Sequence, residues 1–162
     1  LPNTRSSIFN AKLYLTPAPL LMASEDIVKA MEQEPSVRQI RHMATLAQMS
    51  IVGIGGVDSN ATLLTNGTLN HSDVLLLSMQ GAVGDMLCHF IDKDGNVIQS
   101  SLERRLMSTS LEQLKEMNNS IGVAGGNTKA EAILAALKGK YLDVLITDET
   151  TASNVLRLKN QE

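Results

Sequence analysis

Residues 122–133 contain the pattern in this chain that is most typical of a binding site, a short apolar strand that runs through two glycines into an alanine-rich helix. A glycine loop before a helix directs backbone N–H groups toward one point and attracts phosphate or carboxylate. Lys129 lies in the predicted first helical turn, where a cation opposes the helix macrodipole and better suits a ligand anion. Gly126, Asn127 and Lys129 are therefore candidate ligand-binding residues, although Gly125 and Gly126 could also form a tight turn that needs no ligand.

A second glycine-rich run, residues 81–85, is predicted to be a loop that ends in Gly84 and Asp85. The Asp85 carboxylate could accept hydrogen bonds from sugar hydroxyls, or it could cap the next segment by accepting backbone N–H bonds. Arg105, the second residue of an arginine pair, could reach an anion or remain on the solvated surface. Gly84, Asp85 and Arg105 are the remaining candidate ligand-binding residues.

No motif in the sequence supports nucleotide binding, nucleophilic catalysis or metal binding. The loop at residues 125–129 has the spacing of neither a P-loop nor a dinucleotide-binding fingerprint. The run at residues 53–56 does not match that fingerprint either, and no G-x-S-x-G elbow is present. The three histidines have no metal-ligand spacing with each other or with Cys88, and His89 follows Cys88 directly, so the two would point to opposite sides of a strand. The sequence predicts no cofactor, no metal and no catalytic residue.

The composition limits the classes of protein to which the chain could belong. A chain of 162 residues suits one domain, and with 43% hydrophobic but only 2% aromatic residues its core must be aliphatic. The net charge is −3 and no basic stripe is visible, which argues against nucleic-acid binding by these residues alone. One cysteine excludes an internal disulfide, and there is no apolar run of about 18 residues. We expect a cytoplasmic domain that does not enter a membrane.

Periodicity and capping residues predict the elements that must position these side chains. Residues 1–12 are predicted to be a loose arm. The chain starts at Leu1 without a methionine or a signal peptide, so we expect a fragment of a longer protein. The predicted helices are 25–32 (capped by Ser24), a second starting at Ser36, 69–79, 111–117 (capped by Ser110), 127–138 and 149–158 (capped by Thr147 or Asp148). The predicted strands are 13–16, 50–56, 121–124 and 143–147, with a hairpin of 86–92 and 96–99 around a turn at 92–95 and another turn at Asn66-Gly67.

Alternation of helices and strands in the second half predicts the fold class. We expect an α/β fold with a largely parallel sheet flanked by helices and an inserted antiparallel hairpin. The loops at the carboxyl edge of such a sheet are where ligands bind, which includes the region around Asp148.

Six segments in this order resemble one family. They are residues 15–19, 51–55, 81–85, 90–95, 122–133 and 145–149. The pattern is similar to the C-terminal effector-binding domain of SorC-type bacterial sugar-binding transcriptional regulators and spans residues 13–158. The resemblance implies a fold like that of glucosamine-6-phosphate deaminase and ribose-5-phosphate isomerase, without their catalysis.

The same resemblance implies a sugar or phosphosugar effector, ligand contacts at Asp85, Lys129 and Arg105, and a homo-oligomer, either a dimer or a tetramer. The family's helix-turn-helix and an early glycine loop of the effector domain are not found in the sequence, so operator DNA would be bound only through a missing N-terminal domain. Residues 65–67 lack the basic residue that some members carry. Two alternatives remain, a phosphosugar isomerase or deaminase of the same fold group, and a pure oligomerisation module.

Overall fold

The protein is built around a five-stranded mixed sheet. The computed structural model describes residues 8–57, 62–65 and 67–161, so part of the predicted N-terminal arm and Asn66 of the predicted turn lie outside the described residues. The strands are β1 (Ser50–Gly56), β2 (Ala82–Met86), β3 (His89–Asp92), β4 (Ser120–Val123) and β5 (Val144–Ile146). Their spatial order is β3-β2-β1-β4-β5.

The α/β class is confirmed, but the expectation of a largely parallel sheet is wrong. Strand β1 pairs in parallel with β4, and β4 with β5, whereas β1 pairs antiparallel with β2, and β2 with β3. Strands β2 and β3 therefore form the antiparallel part of the sheet itself, rather than a hairpin inserted beside a parallel sheet.

Strand β2 occupies residues that the sequence predicts as a glycine loop. Only Gly81, with φ of +91°, belongs to a turn. Residues 82–86 alternate between buried and half-buried positions, as a strand does, with a register shift between Ala82 and Gly84. Glycine, alanine and aspartate are all depleted in strands, so propensity gives no indication of this one.

The predicted turn at residues 92–95 is present, but it is not the principal hairpin. Asp92 Oδ1 accepts N–H bonds from Asp94 (2.9 Å) and Asn96 (2.8 Å). The returning segment forms only an isolated bridge between Val97 and Ile91. The tight hairpin instead joins β2 to β3.

The helices cover the sheet and begin close to where capping residues predict. Ser24, Ser110 and Asp148 cap their helices as expected, while the second helix begins at Pro35, one residue early, where proline is favoured. Residues 13–16 form no strand, so that prediction is wrong. The helices are α1 (Glu25–Gln33), α2 (Pro35–Thr45), α3 (Thr62–Thr65), α4 (His71–Met79), α5 (Leu111–Glu116), α6 (Ala130–Lys138) and α7 (Glu149–Lys159), with 3₁₀ turns at Glu103–Arg105 and Asn127–Lys129.

Helix α6 provides the centre of the core. Ala132, Ile133 and Ala136 are fully buried in one aliphatic cluster with Val52 and Ile54 of β1. The helix approaches β2 so closely that a methyl group on Gly84 would overlap Ala132. A smaller cluster joins α4 to the antiparallel half of the sheet; it contains Leu69, Val74, Leu77, Ala82 and Phe90.

Tyr141 connects the segment that follows α6 to the 92–95 turn through a hydrogen bond. Its ring is buried, and its hydroxyl donates a hydrogen bond to the buried carbonyl of Gly95. Burial raises the pKa of Tyr141, so the phenol stays protonated and remains a donor at neutral pH.

We expect Tyr141→Phe to lower the free energy of unfolding by about 1–2 kcal/mol, because the Gly95 carbonyl would be left buried without a partner. Urea denaturation followed by circular dichroism measures the change. Tyr14→Phe is the matched control, since the Tyr14 ring is about half exposed and its loss of a hydroxyl should change stability by less than about 0.5 kcal/mol. Equal effects of the two substitutions would contradict the assigned role.

Candidate functional site

Asp85 and the loop that carries Gly126, Asn127 and Lys129 lie at the edge where the parallel strands end. The loop after β4 carries Lys129, and the loop after β5 carries Asp148. Asp85 reaches the same edge from β2, because it pairs with Gly55 near the end of β1. The carboxyl edge of parallel strands is the usual place for a ligand in α/β proteins.

Asp85 is a largely buried carboxyl group. Its side chain covers Gly55 so closely that a Cβ at Gly55 would overlap it, and Oδ2 accepts the N–H of Cys88 at 3.2 Å. Burial raises the pKa of Asp85, although the Cys88 N–H bond and the nearby charges of Lys129 and His89 act in the opposite direction. A carboxyl group kept in a desolvated position beside a lysine is typical of functional sites.

The bond to Cys88 supports an unusual turn. Leu87 and Cys88 join β2 to β3 with φ of 52° and 69°, a left-handed conformation that two-residue hairpin loops usually assign to asparagine and glycine. A non-glycine residue in this region costs on the order of 1 kcal/mol or more. Asp85 thus accepts a backbone N–H bond, which was the alternative to ligand binding considered from the sequence. This bond occupies one of its two carboxylate oxygens.

The Gly125–Gly126 loop is held in place by α7. Gly126 adopts φ of 116° and ψ of 140°, which is accessible in practice only to glycine. Its N–H donates to the Thr151 hydroxyl at 2.8 Å, and the Asn127 carbonyl oxygen Oδ1 accepts from Asn154 at 3.0 Å. The Gly126 N–H is therefore engaged within the protein, whereas the Asn127 and Thr128 N–H groups donate to no acceptor in the described ranges.

Asp148 organises the start of α7. Its carboxylate accepts the N–H (2.9 Å) and the hydroxyl (2.7 Å) of Thr151, and these bonds lower the pKa of Asp148. The same carboxylate lies against Gly125, where a Cβ would be too close to it. The adjacent Thr147 hydroxyl is buried and has no hydrogen-bond partner among the residues that the structure describes.

Arg105 and Gly84 lie in other surroundings. Arg105 Nε donates to the Met22 carbonyl at 2.9 Å, and the Met22 N–H donates back to the Arg105 carbonyl at 2.9 Å. Gly84 faces α6, on the side of β2 opposite to Asp85. Neither residue forms a hydrogen bond or an ion pair with Lys129 in the part of the chain that the structure describes, and the ligand roles of all six candidates remain predictions.

His89 is a buried polar residue that sequence reasoning considered only as a metal ligand. Its Nδ1 lies 2.7 Å from Glu103 Oε1, and its Nε2 lies 2.9 Å from the Thr109 carbonyl oxygen. These bonds tie β3 to the 3₁₀ turn at Glu103–Arg105. The partners are 14 and 20 residues away in the chain, so no local spacing indicates the interaction.

The residues around this site do not provide a reactive thiol or a cluster of metal ligands among the described residues. Burial raises the pKa of the Cys88 thiol to about 11, with a smaller contribution from Asp85, so at neutral pH it is not a nucleophile. Within residues 8–57, 62–65 and 67–161, no cluster of three or more potential metal ligands occurs. No helix in those ranges has the length and apolar character required to span a bilayer.

The fold and the site together define an α/β ligand-binding domain with a polar site at the carboxyl edge of its parallel strands. The sequence model of the family described as "Putative sugar-binding domain" matches residues 5–157. The chain belongs to this family, the sugar-binding domains of SorC-type transcriptional regulators, as its resemblance to them predicts.

Three relatives illustrate the match. The transcriptional regulator LsrR of Klebsiella pneumoniae is 40% identical over 147 residues, which are 89% of this chain and 46% of LsrR. A domain of a possible sugar-binding transcriptional regulator from Arthrobacter aurescens is 27% identical, with a TM-score of 0.84 over 96% of this chain and 59% of that one. The full-length sorbitol operon regulator SorC of Klebsiella pneumoniae is 25% identical, with a TM-score of 0.83 over 93% of this chain and 49% of SorC. The chain spans about half the length of the curated relatives it matches.

We expect Asp85→Asn to raise the melting temperature at pH 7 by about 2 °C or more, because the amide keeps the acceptor for the Cys88 N–H without burying a charge. Since the pKa of Asp85 is raised by folding, ionisation opposes folding, and this penalty appears as the pH rises through the folded-state pKa. The gain should therefore shrink as the pH falls toward about 3, where the carboxyl group is mostly protonated in both states.

Thermal unfolding between pH 3.5 and 8 measures this dependence. Asp94→Asn, in an exposed hairpin turn, is a matched control and should show no such rise with pH. If Asp85→Asn destabilised the protein more at pH 7 than at pH 4, the carboxylate would be stabilising and the interpretation would be wrong.

Proposed function

We propose that this chain is the effector-binding domain of a transcriptional regulator and that it binds a phosphorylated sugar between Asp85 and Lys129. The observation that carries the proposal is the placement of Asp85, a largely buried carboxyl group on β2, and of Lys129, in the loop after β4, at the same carboxyl edge of the sheet. Membership of a sugar-binding family supports the assignment of a sugar to that edge.

The two charged side chains suit different parts of such a ligand. Lys129 provides the cation for a phosphate group, and the Asn127 and Thr128 N–H groups lie beside it as further donors. Asp85 can accept O–H bonds from sugar hydroxyls through its carboxylate. In this proposal Gly84 allows the close approach of α6 to β2, Gly126 allows the positive φ of the loop, and Asn127 holds the loop to α7.

Arg105 remains in the proposed set as a peripheral phosphate contact. The described contacts engage its Nε with Met22, which leaves the two terminal nitrogens for an anion.

Regulation would pass from this domain to operator DNA through another part of the regulator. Residues 13–158 form the effector domain in this proposal, and a helix-turn-helix outside these 162 residues binds DNA in the cytoplasm. The regulator is a homo-oligomer, a dimer or a tetramer. An effector alters operator binding only if it binds one assembly or conformation more tightly than the other.

We propose sensing rather than catalysis. The proposed likeness to glucosamine-6-phosphate deaminase and ribose-5-phosphate isomerase is one of fold, and a shared fold does not imply a shared reaction. The Cys88 thiol is not ionised near neutral pH, and both ring nitrogens of His89 already face protein acceptors. These groups therefore offer neither a nucleophile nor an uncommitted base.

Calorimetric titration of the complete regulator that carries this domain tests the proposal. The panel is ribose 5-phosphate, glucosamine 6-phosphate and other sugar phosphates, their unphosphorylated sugars, and inorganic phosphate. We expect Lys129→Ala to weaken binding of a phosphorylated sugar about tenfold or more, equivalent to about 1.4 kcal/mol, and to leave any binding of the free sugar unchanged. Asp85→Asn should weaken both, because hydroxyl contacts are common to them.

Lys159→Ala is the matched control, since it also removes one positive charge. Lys159 is the last residue of α7, roughly 15 Å along the helix from Asp148 at the edge that carries the proposed site. If no sugar phosphate bound, or if Lys129→Ala and Lys159→Ala behaved alike, the proposed site would be rejected. Turnover of a sugar phosphate that disappeared in Asp85→Asn would establish the enzyme alternative instead.

A further inference from the structure

Four polar residues follow each other at intervals of three along α7 and its cap. They are Asp148, Thr151, Asn154 and Arg157. Side chains three residues apart are neighbours on a helix surface, so the four lie in one row. We call them the polar row. They form two hydrogen-bonded pairs, and each pair also holds one residue of the loop at residues 125–128.

The first pair fixes the backbone of the loop. The fully buried Thr151 hydroxyl donates its only proton to Asp148 Oδ2 at 2.7 Å, so its oxygen is left to accept the Gly126 N–H at 2.8 Å. The Gly126 carbonyl in turn accepts the Lys129 N–H at 3.0 Å. The Gly126 N–H is therefore committed to α7 and cannot serve a ligand.

The second pair fixes the orientation of a side-chain amide. Arg157 Nη2 donates to Asn154 Oδ1 at 3.3 Å. A guanidinium group has donors only, so Asn154 must turn its oxygen toward Arg157 and its NH₂ group toward the loop. That NH₂ group donates to Asn127 Oδ1 at 3.0 Å. Asn127 Nδ2 is thereby turned away from α7, and it has no acceptor among the residues that the structure describes.

The orientation of the Asn127 amide determines what the loop offers to a ligand. The side-chain NH₂ group of Asn127 joins the N–H groups of Asn127 and Thr128 and the ammonium group of Lys129, all of which are donors. A phosphate group presents mainly acceptors, whereas a sugar hydroxyl can both donate and accept. With the amide turned the other way, the loop would direct the lone pairs of Oδ1 toward the anion and repel it.

We propose that Asn154 and Arg157 are positioning residues that make the site selective for a phosphorylated over an unphosphorylated sugar. They act through Asn127, whose NH₂ group they direct toward the phosphate, and neither of them touches the ligand. This role rests on the phosphorylated ligand proposed above and adds the side chains that select it.

Asn154→Asp inverts the orientation while it preserves the shape of the side chain. The introduced carboxylate only accepts, so Asn127 must donate its NH₂ group to it and turn Oδ1 toward the ligand. In calorimetric titration of the complete regulator with ribose 5-phosphate, glucosamine 6-phosphate and the corresponding free sugars, we expect binding of a phosphorylated sugar to weaken about tenfold or more. Any binding of a free sugar should be unchanged.

Ser153→Asp is the matched control for charge, because it places a carboxylate at the neighbouring exposed position of α7. It should weaken binding of a phosphorylated sugar by less than about threefold, since exposed charges are screened by solvent and salt. Asn127→Ala removes the group through which Asn154 acts. In that background Asn154→Asp should weaken binding no more than Ser153→Asp does.

Hydrogen exchange of residues 125–128 in the ligand-free regulator separates orientation from loop stability. Asn154→Asp keeps a hydrogen bond to Asn127, so exchange should match that of the unsubstituted protein. Asn154→Leu removes the bond, and exchange should become about threefold or more faster. Loss of protection in Asn154→Asp equal to that in Asn154→Leu would show a merely structural role and overturn the proposal.

The titrations can overturn it in two further ways. Asn154→Asp and Ser153→Asp could weaken binding of a phosphorylated sugar equally, or the effect of Asn154→Asp could persist in full in the Asn127→Ala background. Absence of sugar-phosphate binding in the unsubstituted regulator would instead reject the proposed function, and this selectivity with it. That failure is distinct because it appears without any substitution.

Discussion

The close packing of α6 against the sheet positions both halves of the candidate site. Ala132 lies against Gly84, and Asp85 is the next residue on β2. At the other end of the contact, Lys129 immediately precedes the first residue of α6, Ala130, which is itself buried. Small residues at the helix–sheet contact therefore bring the strand that carries Asp85 close to the helix that follows Lys129, and a larger residue at Gly84 would displace that strand.

Local signals in the sequence account for much of this arrangement. Ser24, Ser110 and Asp148 are helix caps whose chemistry is complete within three residues, so their helices could be predicted to within one or two residues. Strands β1, β4 and β5 are apolar runs bounded by turn residues and were predictable for the same reason. The convergence of Lys129 and Asp148 at one edge follows from the parallel connections.

Long-range pairing determines what the sequence did not predict. Residues 82–86 form a strand because they pair with β1 and β3, not because of their own preferences. Residues 13–16 have suitable preferences, yet they find no partner strand and remain irregular. The His89–Glu103 contact likewise depends on how the 3₁₀ turn folds back over β3, which no spacing rule contains.

The hairpin that carries Asp85 combines several features that do not favour stability. Leu87 and Cys88 are both left-handed, and burial raises the pKa of Asp85. Unfavourable backbone conformations and desolvated carboxyl groups persist where the surrounding structure enforces them, and they are concentrated at functional sites. The hairpin therefore combines features that are typical of functional sites rather than of turns that stabilise a fold.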